Sequence, residues 1–129
     1  MNSYPFKLLD GGNLILIEGF LDDDKMLWAL DTAASHTIVD LTKLVLAGYS
    51  ISDFAETNQF ETGKGIIEAH SVQVKSISVL GITWKQATVS VYDFLANGIV
   101  SEYDGLLGLD LFLGRKICID FRKMVIDVS

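Results

Sequence analysis

The sequence predicts a small, mostly β domain, closed or nearly closed into a barrel, with one or two short helices. Three observations lead there. Short runs alternate apolar and polar residues, as strands with one buried face do. Glycine-rich or acidic turns punctuate those runs at close intervals. Half of the 129 residues are hydrophobic and only one is proline, so a chain of this size can bury a core as one domain, residues 1–129.

The elements follow in order. "NLILIEGFL" (13 to 21) alternates in part and reads as a strand, "DDD" (22 to 24) as a solvated turn, and Lys25 to Leu30 as the returning arm of a hairpin. Residues 37 to 39 form a short β-branched stretch. "DLTKLVLAG" (40 to 48) reads as a short helix, with Asp40 as its N-cap and Gly48 just past its end. Residues 49 to 59 are polar and irregular. "FETGKGIIEAHSVQVKSISVL" (60 to 80) reads as a long strand or hairpin that Gly81 breaks, and "ITWKQATVSVYDF" (82 to 94) alternates again. "LANGIVSEY" is a loop. "DGLLGLDLFLG" (104 to 114) mixes glycines with leucines and ends in a short helix. "KICIDF" and "MVIDV" are strands joined by a turn near Arg122 and Lys123.

Composition excludes several functions. Ten basic against seventeen acidic residues give a net charge of −7, which argues against nucleic acid, whose binding rests on clustered lysine and arginine. Two histidines and one cysteine do not make a metal site, and no cofactor is expected. Cys118 lies in an apolar strand and reads as a small core residue. "TGKG" lacks the spacing and the following hydroxyl of a phosphate loop. No apolar run reaches membrane-spanning length and no signal peptide is seen, so a cytoplasmic location is expected. Trp28 and Trp84 read as core or interface, His70 as a solvated strand residue, and Leu109, Leu111 and Leu113 as helix packing or dimer contacts.

One stretch does not fit a purely structural account. In "WALDTAASHTIVD" (28 to 40) a buried strand runs straight into Asp31, where desolvating a carboxylate is expensive. Tiny residues follow: Ala33, Ala34 and Ser35. About thirty residues later "ETGKGI" places Gly63 and Gly65 around Lys64 at the head of an alternating strand, and glycines there permit positive φ and motion. Further on, "DGLLGLDLFLGRKICIDF" sets Leu106 and Leu107 before Gly108 and a leucine-rich helix.

With these three motifs in this order, residues 14 to 128 resemble the retropepsin-like aspartic proteases, single-domain relatives of pepsin that include the retroviral enzymes. "LDTAASHTIV" resembles their Asp-Thr-Gly-Ala-Ser loop, "TGKG" their glycine-rich flap, and "DGLLGLDLFL" their apolar pair and glycine near the C-terminus. The resemblance implies a homodimeric endopeptidase, because the chain holds one such motif and the chemistry needs two carboxylates, one Asp31 from each copy. It implies that Thr32 donates its hydroxyl across the twofold axis and that Ala33 and Ala34 support the loop. Ser35 and His36 would line the cleft of an extended peptide or protein substrate, Gly63, Lys64 and Gly65 would close over it, and Leu106 and Leu107 would back the loop or wall a pocket. Ala34 stands where pepsin-like enzymes often carry a serine that donates to the carboxylate, which implies a milder pH optimum than pepsin's. Ala33 departs from the pattern, since the family carries glycine there. Two alternatives stay open: an inactive binding or dimerisation module of the same fold, with Ala33 as the mark of decay, and an unrelated small β-barrel binding protein.

Overall fold

The hairpin at the front of the chain positions everything that follows. Ile15–Leu21 (β3) and Asp24–Leu30 (β4) pair antiparallel from Leu16↔Ala29 to Leu21↔Asp24. Asp22 turns the corner with φ of 53°, a region that aspartate enters more readily than most residues. Its carboxylate accepts from Ser76 N–H (3.0 Å) and from the Tyr49 hydroxyl (2.7 Å). In this computed structural model the described residues are 2–9, 11–50, 52, 54, 58–62, 65–99 and 101–129, with 58–62 and 65–69 described through the backbone alone.

The remaining strands are Asn2–Pro5 (β1), Lys7–Leu8 (β2), Ile38–Asp40 (β5), Asn58–Thr62 (β6), Gly65–Gln73 (β7), Ser76–Val79 (β8), Ile82–Lys85 (β9), Thr88–Tyr92 (β10), Gly105–Leu107 (β11), Ile117–Asp120 (β12) and Val125–Val128 (β13). The helices are Leu41–Leu46 (α1) and Leu109–Phe112 (α2). Among the described residues one long sheet runs β6-β7-β10-β5-β11-β4-β3-β8-β9, with β2 also on β3, and a small second sheet runs β1-β13-β12. Among the described residues the chain is mostly β with two short α-helices, as the alternation predicted.

The core lies against the hairpin. Ile17, Leu21, Met26 and Trp28 pack with Ile77, Val89, Leu107, Leu111 and Ile126, all buried. This alternation is the source of the fold: β3 and β4 turn every second residue inward, and that face is apolar. Trp28 is fully enclosed, and its Nε1 has no hydrogen-bond partner among the described residues, so packing alone holds the ring.

Several sequence expectations change. The run 60 to 80 takes the hairpin form of the two expected, with β6 and β7 as its arms, but it does not continue to Leu80 as one element, since β8 begins anew at Ser76. The run 82 to 94 divides into β9 and β10 where Gln86 takes φ of 53°. Asp40 does precede α1, but its carboxylate does not cap the helix and accepts instead from Phe94 N–H at 3.1 Å. Cys118 is exposed, not core. Its strand, β12, ends the small sheet, and the alternation of that strand turns Cys118 outward between half-buried Ile117 and Ile119.

The largest omission is β11. Residues 105 to 107 form a strand parallel to β4 (Gly105↔Trp28, Leu106↔Ala29, Leu107↔Leu30) and antiparallel to β5. Such tight insertion needs a glycine. A Cβ on Gly105 would sit 2.6 Å from the Trp28 ring and 2.7 Å from the Ile38 carbonyl oxygen. Gly105→Ala is therefore expected to lower stability by about 2 kcal/mol, the usual scale for overpacking, read as a shift of the urea midpoint at constant m-value.

Candidate active site

The segment from Asp31 to Thr37 leaves β4, crosses the end of β11 and enters β5. β11 lies between the two strands that the loop connects, so the loop is tied down from below at both sides. Asp31 N–H donates to the Leu107 carbonyl (3.0 Å), and Leu109 N–H donates to the Ala34 carbonyl (2.9 Å). Inside the loop Ala34 N–H donates to the Asp31 carbonyl (3.1 Å), and Ala33 N–H donates to Asp31 Oδ1 (3.0 Å). That last contact is an Asx turn, in which an aspartate satisfies the backbone two residues on. It fixes the direction of the Asp31 carboxylate.

The predicted loop residues divide by burial. Asp31 is half-buried, Thr32 and Ala33 are exposed at the tip, and Ala34 is fully buried under the loop. Ser35 is half-buried, and His36 is exposed with Nδ1 2.9 Å from Ser35 Oγ. Ala33 is not among the described non-glycine residues with positive φ, so its methyl group costs no backbone strain.

Thr37 fastens the far side. It is wholly buried, and each of its polar groups is used. Its N–H donates to both oxygens of Asp110 (3.0 and 2.9 Å), and its hydroxyl donates to Asp110 Oδ1 (2.7 Å) and accepts from Gly108 N–H (3.1 Å). Its carbonyl accepts from Ser90 N–H (2.9 Å). Gly108 is required by this contact, since a Cβ there would lie 2.5 Å from the His36 backbone. Sequence reading gave Asp110 no role. The only signal was its fixed place two residues after the glycine, and nothing local says that it reaches 73 residues back to Thr37.

Leu107 is fully buried and supports the loop through its carbonyl, while Leu106 is half-buried and faces a separate apolar cluster. Ile38 and Phe94 form its centre, with Tyr92, Ile99, Tyr103 and Leu106 around them. Tyr103 packs edge-on against Phe94, with ring centroids 5.8 Å apart. Partial burial and then the nearby negative charge of Asp31 raise the Tyr103 phenol above its ordinary pKa, so sequence reading missed one aromatic neighbour of Asp31. Gly65 opens β7 opposite Thr62 in the β6–β7 hairpin, and Gly63 and Lys64 lie outside the described residues. Among the described residues no group of histidine, cysteine and carboxylate side chains could hold a metal ion, and no helix is long and apolar enough to cross a membrane. A cavity of about 610 Å³ lies elsewhere, between the N-terminal strands and β3, and includes none of the loop residues.

The aspartyl protease family profile matches residues 17–111, which hold the whole of this site. No curated protein matches the chain. Among solved structures, the chain is similar to a retropepsin-like aspartic protease from Rickettsia conorii, at 20% identity over 99% of this chain and 91% of that one, with a TM-score of 0.72. It is also similar to the retroviral protease-like domain of Ddi1 from Leishmania major, at 10% identity over 91% and 93% of the two chains, with a TM-score of 0.56. The fold is that of the retropepsin-like proteins.

Two expectations follow from the bonding. Asp110→Ala leaves the buried Thr37 N–H and hydroxyl without their acceptor and is expected to lower stability by about 2–3 kcal/mol, whereas Asp110→Asn keeps one acceptor oxygen and loses less. Urea denaturation of the three proteins measures the order. The second concerns Asp40, whose carboxyl is raised above 3.8 by burial, against the bond from Phe94 N–H and with the charges of Asp93 and Asp104 adding to the rise. The native state thus holds this proton more tightly than the unfolded chain. The resulting stability is complete below 3.8 and is lost as pH rises through the higher native value. Asp40→Asn should therefore gain on wild type as pH rises through that window, seen as a pH-dependent gap between their urea midpoints.

Proposed function

Because the chain belongs to the aspartyl protease family, we propose that it is a homodimeric endopeptidase in which two Asp31 side chains, one from each copy, activate a water molecule. The observation that carries this reading is the Asp31 carboxylate itself: delivered by a core strand, aimed by Ala33 N–H and left half-open to solvent at a loop tip.

Two carboxylates brought together cannot both ionise easily, so the pair holds one proton. The ionised Asp31 takes a proton from the water as its oxygen attacks the peptide carbonyl carbon. The protonated Asp31 gives its proton to the carbonyl oxygen, and a neutral gem-diol forms without a covalent enzyme intermediate. Collapse of the diol returns a proton to the pair, the amide nitrogen is protonated, and the C–N bond breaks.

Thr32, exposed at the tip, would tie one loop to its twin. Ser35 and His36 would line the cleft with Leu106 and the aromatic cluster behind it. The β6–β7 hairpin would act as the flap, with Gly63, Lys64 and Gly65 giving backbone contacts to an extended peptide in a strand-addition mode. Ala33 favours a second reading, an inactive peptide-binding module, because the family carries glycine there. The negative φ of Ala33 weighs against that reading.

The test is cleavage of a diverse peptide mixture read by mass spectrometry between about pH 4 and 7, with wild type, Asp31→Asn and Ala33→Gly compared. Wild type is expected to cut, with its optimum above that of pepsin, and Asp31→Asn to lose on the order of a thousandfold or more. If folded, dimeric wild type cuts nothing and Ala33→Gly does cut, the inactive-module reading replaces this one.

A further inference from the structure

β3 has a gap along one edge. β4 pairs with its other edge without interruption from Leu16 to Leu21. On the gapped edge β2 takes only Ile15 and Leu16, and β8 takes Gly19, Phe20 and Leu21. Among the described residues neither ladder reaches Ile17 or Glu18. Asp22 N–H donates to the Ser76 carbonyl on this edge. Alternate residues of a strand turn their N–H groups to the same edge, so the Glu18 N–H faces the gap. The cavity of about 610 Å³ opens there, with Tyr4, Phe6, Ile17, Phe20 and Leu80 among its walls. Its charged groups among the described residues are Lys7, Lys25 and Glu18. Parts of the chain outside the gap hold the walls apart. Phe6 N–H donates to the Met124 carbonyl (3.1 Å), and the Phe6 ring meets Phe121 edge-on, with centroids 5.7 Å apart. Tyr4 lies across Gly81, where a Cβ would strike its hydroxyl.

We infer that this cavity binds an apolar monocarboxylate, a medium-chain fatty acid in size and chemistry. Its volume is that of a small-molecule site. An extended peptide does not fit the gap as an added strand, because β2 and β8 occupy the same edge at its two ends. The charge selects the head group. Two lysines against one glutamate leave the cavity cationic in a chain of net charge −7. Lys7 has no ion pair among the described residues, and the pair of Lys25 with Glu18 is long (3.8 Å) and exposed, so a ligand carboxylate can take its place. One net positive charge matches a monoanion, not a phosphate dianion. The Glu18 N–H adds a backbone donor, and a donor to an ionised oxygen makes the stronger kind of hydrogen bond. Phe20, 46% exposed at the mouth, is the surface that an apolar tail would cover. The cavity includes none of the residues from Asp31 to Thr37, so this site stands apart from the proposed chemistry.

The experiment is calorimetric titration of the full chain with decanoate at about pH 7.5, where carboxylate and lysine are both charged. Saturable binding of one decanoate per chain is expected. Octanoate should bind about tenfold more weakly, because it buries two fewer methylenes. Decan-1-ol, which has the same tail without the charge, should also bind about tenfold more weakly. The double variant Lys7→Gln with Lys25→Gln should weaken decanoate about tenfold and leave decan-1-ol unchanged, a split that general damage to the fold does not produce. Phe20→Glu puts a negative charge at the mouth and should weaken decanoate by at least about tenfold. Lys43→Gln and Leu46→Glu change charge on α1, away from the cavity, and should bind decanoate like wild type. Circular dichroism checks that each variant is folded. No saturable binding of decanoate, decan-1-ol binding as tightly as decanoate, or cavity variants that bind like wild type would each overturn the inference.

Discussion

The insertion of β11 between β4 and β5 is the constraint on which the site depends. A strand that runs directly into a carboxylate and a strand that begins two residues after a histidine would ordinarily be neighbours. Here a third strand, drawn from more than sixty residues downstream, separates them. The connecting loop has to bridge that strand, and its shape is set by what the strand offers: the Leu107 carbonyl for Asp31 N–H, Leu109 N–H for the Ala34 carbonyl, and the Asp110 carboxylate for Thr37. Gly105 and Gly108 follow from the same constraint, because at both positions a Cβ would meet backbone or a buried ring. Rigid support of this kind is what a catalytic carboxylate needs, since small displacements of reacting groups cost rate steeply.

The supports also explain why the loop can hold an ionisable side chain at little cost. Water still reaches Asp31, and one of its oxygens has a fixed donor. The desolvation that its apolar approach threatens is not imposed by the single chain. Under the proposed assembly it arises only when a second loop and a substrate cover the tip, at the moment when a shared proton can offset it. The exposed Thr32 and Ala33 lie at that uncovered tip. Folding and chemistry thus draw on separate surfaces: the core faces of β3, β4 and β10 build the domain, and the loop side is left for association.

Local pattern was enough for most elements. The β3–β4 hairpin, the short helix after Asp40 and the final pair β12 and β13 were legible because each is specified by neighbours in sequence, through alternation, turn residues and a helix-ending glycine. Boundaries failed where a non-glycine residue entered the left-handed region, as at Gln86, since nothing in its composition announces a turn. Cys118 failed for a related reason. Alternation gives the two faces of a strand, but which face is covered depends on where the sheet ends. The order of the three motifs around Asp31, Gly63 to Gly65 and Leu106 to Gly108 was enough to identify the resemblance that the family profile bears out.

What the sequence determined by itself was therefore the strand content, the hairpins between adjacent strands and the candidate carboxylate, because these rest on periodicity and on side-chain chemistry within a few residues. Only the tertiary structure decided that residues 105 to 107 are a strand between β4 and β5, that Asp110 is the ligand of Thr37, and that Tyr103 stands near Asp31. Those relations join residues more than sixty positions apart. They are set by which backbone donors and acceptors remain unpaired once the hairpins have formed, and that account closes only in three dimensions.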